Sequence, residues 1–269
     1  MSISELREEG EIQMKRVSLT LASAFILGVT FTVGTPRLQI ISDQFSSELK
    51  DSKLSATKLP ANKFSESRDL SKFLNGAKTS VRLPRDVTNE ELKQFNTPSF
   101  SKVRAVYFQN CSINKSGLKH LRHSPIEKLF LSGCSVKDNE ASAIAALKNL
   151  KTLSLNETWV GDKTLEQLKD LPIEKLFLNN TFVGDKGIES LKKLPLKKLY
   201  LEGTEITNQA LESISRLGVV ALNLSNTNVD GGSLNQIKQM ISLKKLYLRE
   251  TAVLSEELQD LPDELELVF

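Results

Sequence analysis

The same skeleton of apolar and polar positions returns along this chain every 23 or 24 residues. "LFLNNTFVGD", starting at Leu176, and "LYLEGTEITN", starting at Leu199, both read Leu, any residue, Leu, two variable residues, Thr, one variable residue, then Val or Ile. The first apolar residue of each pair falls at Val106, Leu129, Leu153, Leu176, Leu199, Leu222 and Leu246. So short and regular a period argues against a domain built around one closed core. It predicts a stack of like coils, each covering the apolar face of the next.

The logic inside one coil is visible in "LKTLSLNETWV" and the "GDKTLEQLKDL" that follows. Leu153 and Leu155 alternate with Thr152, Ser154 and Asn156, and period two predicts a strand with its leucines turned inward. Leu165, Leu168 and Leu171 recur every third residue, which predicts a short helix or 3₁₀ turn with one apolar face. Asp162, Asp185 and Asn208 stand where a helix N-cap is wanted, and Pro172 and Pro195 end two of the helices. Strands stack about 4.8 Å apart but helices need roughly 8–10 Å, so the stack bends with its strands on the inside. A degenerate unit (Val81, Leu83, Val87, Leu92, Phe95) precedes the seven, and a truncated one (Leu265, Leu267) follows them; both close the ends.

The pattern Leu150-x-x-Leu153-x-Leu155-x-x-Thr158-x-Val160, repeated as Ile173-x-x-Leu176-x-Leu178-x-x-Thr181-x-Val183, resembles the leucine-rich repeat family, in particular its short bacterial-type repeats. The resemblance covers residues 81–269 and implies a curved α/β solenoid, one parallel strand per coil, with short helices on the outer side. It also implies a recognition module that binds other proteins through its concave face. The family's usual ladder Asn is replaced by Cys111, Cys134, Thr158, Thr181, Thr204, Thr227 and Thr251. In this column a thiol or hydroxyl is expected to donate to a turn carbonyl of the neighbouring coil. Both cysteines are thereby read as buried free thiols ahead of a disulfide.

The outward strand positions carry the functional signal. Between the two strand leucines stand Tyr107, Phe130, Ser154, Phe177, Tyr200, Asn223 and Tyr247; two residues earlier stand Ala105, Lys128, Thr152, Lys175, Lys198, Ala221 and Lys245. An aromatic stripe is therefore expected beside a lysine stripe. Just beyond the strands, Trp159 and Phe182 occupy equivalent positions on adjacent coils, placed either to pack on the following loop or to meet a ligand. Cross-strand ring pairs contribute only about 0.2–1 kcal/mol each, whereas exposed aromatics gathered in one patch mark interaction sites. Tyr107, Phe130, Phe177, Tyr200 and Tyr247 are the expected anchors for a protein partner, with Lys128, Lys175, Lys198 and Lys245 selecting its acidic groups. A glycan is the alternative ligand, its rings stacking on the aromatics and its hydroxyls meeting Asn156, Asn179 and Glu202. Asn156 and Asn179 also lie in Asn-x-Thr sequons, which the repeat produces by requiring Thr there.

Other chemistry is poorly represented. Two histidines and two cysteines are too few for a Cys/His zinc site; His120 and His123 read as solvated surface residues. Glu202 and Glu205 are the only paired carboxylates on the inner side and lack the apolar surround that catalysis needs. No enzyme activity and no cofactor is expected. The net charge of +3 comes from residues 1–102, with 15 Lys+Arg against 12 Asp+Glu, while the remainder carries 21 of each. That balance argues against nucleic acid as a partner.

The N-terminal part follows another logic. Residues 1–16 form a tail. Residues 17–34, "VSLTLASAFILGVTFTVG", hold no charge, follow Lys15 and Arg16, and suit either a cleaved signal peptide or an uncleaved signal-anchor transmembrane helix. Residues 35–65 are a Ser/Lys-rich tether, residues 66–105 an N-terminal cap with the degenerate first repeat, and residues 106–269 the repeats proper. The repeats are accordingly expected outside the cytoplasm, exported or tethered to the membrane through residues 17–34.

Overall fold

The computed structural model describes residues 67–268. The expected tail, apolar helix and tether at 1–65 lie outside the described residues. Among the described residues, no helix is long and apolar enough to cross a membrane.

The repeat period becomes a sheet. Nine strands of three residues run in parallel and pair in chain order: β1 Ser80–Arg82, β2 Ala105–Tyr107, β3 Lys128–Phe130, β4 Thr152–Ser154, β5 Lys175–Phe177, β6 Lys198–Tyr200, β7 Ala221–Asn223, β8 Lys245–Tyr247 and β9 Glu266–Val268. The register is the one the spacing dictates. Val81 pairs with Val106, Val106 with Leu129, and the file continues through Leu153, Leu176, Leu199, Leu222 and Leu246 to Leu267. From Val106 to Leu246 these central residues are fully buried. A one-residue slip would turn all of them to solvent.

Short helices return the chain between strands: α1 Lys115–Leu118, α2 Ala141–Ile144, α3 Asp162–Leu168, α4 Asp185–Glu189, α5 Asn208–Ser215 and α6 Leu234–Lys238. Their inward leucines and isoleucines, such as Leu165, Leu168, Ile188, Leu211 and Ile214, meet the strand leucines in one continuous core. Each buried Leu or Ile contributes about 1.5–3 kcal/mol. No coil has a second layer of its own, so that burial exists only in the stack.

The turn after each strand is held by two devices. One residue per coil adopts the left-handed conformation: Asn110, Gly133, Glu157, Asn180, Gly203, Asn226 and Glu250, with φ between 50° and 69°. Gly and Asn tolerate it, whereas Glu157 and Glu250 sit there against their preference. Next, the column threonine closes the turn. The Oγ1 of Thr158, Thr181, Thr204, Thr227 and Thr251 donates to the carbonyl of the Leu three residues back, at 2.5–2.8 Å. The expected donation to a neighbouring coil is thus corrected: the hydroxyl ties its own coil, because the left-handed residue folds that carbonyl back within its reach.

Coils are joined instead by a second polar file. Asp162 and Asp185 are the first residues of α3 and α4, not the caps; Gly161 and Gly184 occupy the cap positions, and Thr207 caps α5 ahead of Asn208. The side chains expected to cap their own helices reach across to the next coil. Asp138 Oδ1 accepts from Gly161 N–H at 2.8 Å and Thr164 Oγ1 at 2.6 Å. Asp162 accepts from Gly184 N–H at 2.8 Å, Asp185 from Thr207 N–H at 2.9 Å, and Asn208 from Asp230 N–H at 3.0 Å. On the segment entering each strand, Arg104, Glu127, Lys151, Glu174 and Lys197 alternate in sign. Glu127 pairs with Arg104 and, at 3.9 Å, with Lys151; Glu174 pairs with Lys197 at 2.8 Å.

The N-terminal end is sealed by Leu70, Leu92, Phe95 and Phe100, all buried, with the rings of Phe95 and Phe100 at 4.6 Å. Above them Glu91 accepts from Arg68 Nε at 3.0 Å and from Thr88 N–H at 2.8 Å, while Arg68 also reaches Asp86 at 2.8 Å.

Candidate binding face

Residues 105 and 107 of β2, and their counterparts on β3–β8, project from the sheet on the side away from the core. Register brings Tyr107, Phe130, Ser154, Phe177, Tyr200, Asn223 and Tyr247 into one file, and all five rings are half-buried. They form two groups. Tyr107 and Phe130 stack at 4.7 Å with 6° between planes. Phe177 and Tyr200 stack at 4.8 Å and 15°, and Tyr247 leans on Tyr200 at 6.2 Å and 48°. Ser154 divides the groups; it is 3% exposed and its hydroxyl shares a hydrogen bond with Ser132 at 3.0 Å. The expected aromatic residues thus stand in one file, broken at Ser154 and Asn223 as the sequence has it, with the rings gathered in two clusters on either side of Ser154.

Asn223 lies beneath the meeting of Tyr200 and Tyr247. It is 5% exposed, accepts from Ser225 N–H at 2.9 Å and donates to Glu202 Oε2 at 3.1 Å. Burial, and then the neighbouring Tyr247, pushes the Tyr200 phenol above its ordinary range. At neutral pH that hydroxyl stays protonated and able to donate.

The lysine file is likewise interrupted. Ala105, Thr152 and Ala221 are nearly covered, and Lys128 and Lys175 stand exposed beside them, with Lys198 half-buried. Lys128, Lys175 and Lys198 make no ion pair among the described residues. Lys245 differs: it pairs with Glu266 of β9 and lies 5.4 Å from the Tyr247 ring centroid. Its hydrogen bond to Glu266 raises its pKa above the usual lysine value. Sequence reasoning missed one cation. Arg82 of β1 pairs in register with Tyr107 and lies 5.2 Å from that ring's centroid. The degenerate first unit hid it, although the spacing of "SVR" against "AVY" points to it.

Asn156 and Asn179, expected as ligand contacts, are half-buried and hydrogen-bond within the stack. Asn156 Oδ1 accepts from Asn179 N–H at 2.9 Å, and Asn179 Oδ1 accepts from Glu202 N–H at 3.1 Å. Glu202 is held by Asn223 as above, and Glu205 is exposed on the neighbouring turn. Trp159 and Phe182 behave differently. Their backbone N–H groups bond to the preceding coil, at Val136 and Val160, both at 2.9 Å. Their rings stack on each other at 5.7 Å and 21°. They remain 49% and 54% exposed, two of the four exposed large apolar side chains among the described residues. His120 is half-buried and pairs with Asn96 Nδ2 at 3.1 Å; burial, then Lys119, lowers its pKa. His123 is exposed and accepts from Arg122 Nε at 3.2 Å.

No family model and no curated protein matches the chain. Solved structures do. Internalin C2 from Listeria monocytogenes aligns with a TM-score of 0.53 at 19% identity, over 71% of this chain and 80% of that one. The fold is the leucine-rich repeat. A plant ice-binding protein aligns with a TM-score of 0.49 at 16% identity, over 71% of this chain and 60% of that one. The leucine-rich repeat ectodomain of a membrane receptor kinase from Arabidopsis thaliana, in complex with CASPARIAN STRIP INTEGRITY FACTOR 2, gives 0.46 at 19% identity, over 70% of this chain and 23% of that one. In this leucine-rich repeat stack the strand face is the surface on which side chains from seven coils come into line.

Proposed function

We propose that the strand face of this leucine-rich repeat stack binds a protein partner, and that the protein acts by recognition rather than by catalysis. The observation that carries this reading is the pairing of half-exposed ring clusters with unpaired cations. Tyr107 and Phe130 form one apolar anchor point and Phe177, Tyr200 and Tyr247 the other, while Lys128, Lys175 and Lys198 stand alongside with no acidic partner among the described residues. A partner surface presenting apolar side chains flanked by Asp or Glu fills both needs. The coils supply rigidity, so the rings are ordered before binding and little entropy is lost there. The lysines speed encounter and reject basic competitors. Trp159 and Phe182 extend the apolar surface along the turn side. The uncharged run at residues 17–34 supports a place outside the cytoplasm, exported or tethered to a membrane.

The test is affinity capture from the source organism with the full chain as bait, run beside a Phe177→Ser/Tyr200→Ser variant. Capture of a protein by the native chain and its loss from the variant support the reading. Equal capture by both chains refutes it. A glycan ligand would instead give binding on a glycan array that both substitutions remove.

A further inference from the structure

In five of the seven coils the column residue is a threonine that ties its own turn. In the first two it is a cysteine, and there the pattern changes. Cys111 Sγ and Cys134 Sγ lie 2.8 Å apart, inside the roughly 3.5–4.0 Å at which non-bonded heavy atoms rest. Strand-like stacking puts equivalent backbone positions of adjacent coils about 4.8 Å apart, within the Cα window of roughly 4.4–6.8 Å that a disulfide accepts. The sulfur of Cys134 lies 3.9 Å from the Ser132 carbonyl, and no hydroxyl closes either turn. Both cysteines are free thiols in this structure, as expected from the sequence, and both side chains are buried, at 3% and 1% exposed. A single Cys in this column would lose the turn bond and gain nothing; two on consecutive coils have each other.

We propose that Cys111 and Cys134 are a cross-coil disulfide site, bonded in the mature protein, which locks the first two full coils together. The oxidant is a disulfide donor of the dithiol-oxidase or glutathione class. Either cysteine can begin, because the coils are still apart when the donor acts and the folded contacts at the sulfurs are not yet made; the steps are the same in either order. With Cys134 first, its thiolate attacks the donor disulfide and expels one donor thiolate. Deprotonated Cys111 then attacks the Cys134 sulfur of the mixed disulfide and expels the second. One S–S bond forms and one breaks, two electrons pass to the donor, and the two cysteine protons end on the donor thiols. Burial of both sulfurs keeps a bulky donor out of the closed stack, so the bond forms before these coils seat. Such a bond persists in an oxidising compartment, in keeping with the export expected from residues 17–34.

The experiment refolds the full chain from denaturant with mixed reduced and oxidised glutathione, blocks free thiols, and maps tryptic peptides without reduction. The expected species joins peptide 105–115 to peptide 129–137. Recovery of the two peptides singly, each alkylated, overturns the proposal. The second arm compares melting with and without reductant. The native chain should lose roughly 5–10 °C on reduction, while Cys111→Thr/Cys134→Thr, which restores the residue type of the other coils, should be insensitive. Equal melting of the native chain in both states overturns the locking role.

Discussion

Phe177 and Tyr200 stand 23 residues apart in sequence, yet their rings stack at 4.8 Å and 15° on the outer side of β5 and β6. Neither ring enters the core; the leucines between them and the helices, Leu176 and Leu199, do. Their cost of removal should therefore be small. Each cross-strand pair is worth about 0.2–1 kcal/mol, so single Phe177→Ser and Tyr200→Ser variants should each melt within about 5 °C of the native chain. Leu176→Ala, by contrast, should cost about 2–5 kcal/mol through the cavity it leaves. Thermal unfolding of the three variants distinguishes the two faces of one strand.

The left-handed column makes a prediction of opposite signs. A Cβ added at Gly203, whose φ is +65°, would meet Asn180 Oδ1 at 2.3 Å. Gly203→Ala should destabilise by about 1–2 kcal/mol. At Glu157, with φ of 56°, a glycine removes the same strain and gives part of it back as unfolded-state entropy, so Glu157→Gly should be neutral or stabilising by up to about 1 kcal/mol. Denaturant titration of both variants reads the difference.

Asn179 offers a test of whether its side chain serves the stack or a ligand. Its Oδ1 accepts the Glu202 N–H. Asn179→Ala strands that donor and should cost roughly 1–2 kcal/mol. Asn179→Asp keeps an acceptor in place and should recover most of the loss. Equal destabilisation by both substitutions would contradict the assignment.

The N-terminal cap predicts an acid limb of the stability curve. Burial pushes the Glu91 carboxyl up, but Arg68 and the Thr88 N–H outweigh it, and the net shift is below the ordinary Glu value. Asp86, bonded to Arg68, is lowered too. A depressed folded-state pKa means that the unfolded chain binds more protons just below the ordinary carboxylate range, so stability rises with pH there. The contribution is complete above about pH 4.3 and fades as pH falls through the folded-state value. Arg68→Met should flatten this limb and lower stability at neutral pH. Melting curves taken from about pH 3 to pH 6, around the unperturbed carboxylate values, check both points.

Much of this could be read from spacing. A 23–24-residue period in Leu and Thr fixes which side chains are neighbours, so the files from Val106 to Leu246 and from Tyr107 to Tyr247 were legible. Features carried by only some coils were harder to see. The left-handed column shows Gly or Asn at five positions, but Glu157 and Glu250 blur it. The alternating file of Arg104, Glu127, Lys151, Glu174 and Lys197 repeats every second coil, and a search for one residue type per column passes over it. Bond direction was not legible at all. Whether Thr158 ties its own turn or the next, and whether Asp162 caps its helix or reaches Gly184, depends on backbone angles that residue type alone does not set. Ser154 and Asn223 were visible as breaks in the aromatic column, but that the rings would close over Asn223 followed only from the geometry.

The most direct measurement is capture and melting recorded together for the Phe177→Ser/Tyr200→Ser chain, with a Lys192→Ala variant on the exposed helix side as control. The double variant should lose its partner while melting within about 10 °C of the native chain, twice the limit set for one ring, and the control should keep both properties. Retained capture, or capture lost only together with a collapse of the folded stack, would contradict this account.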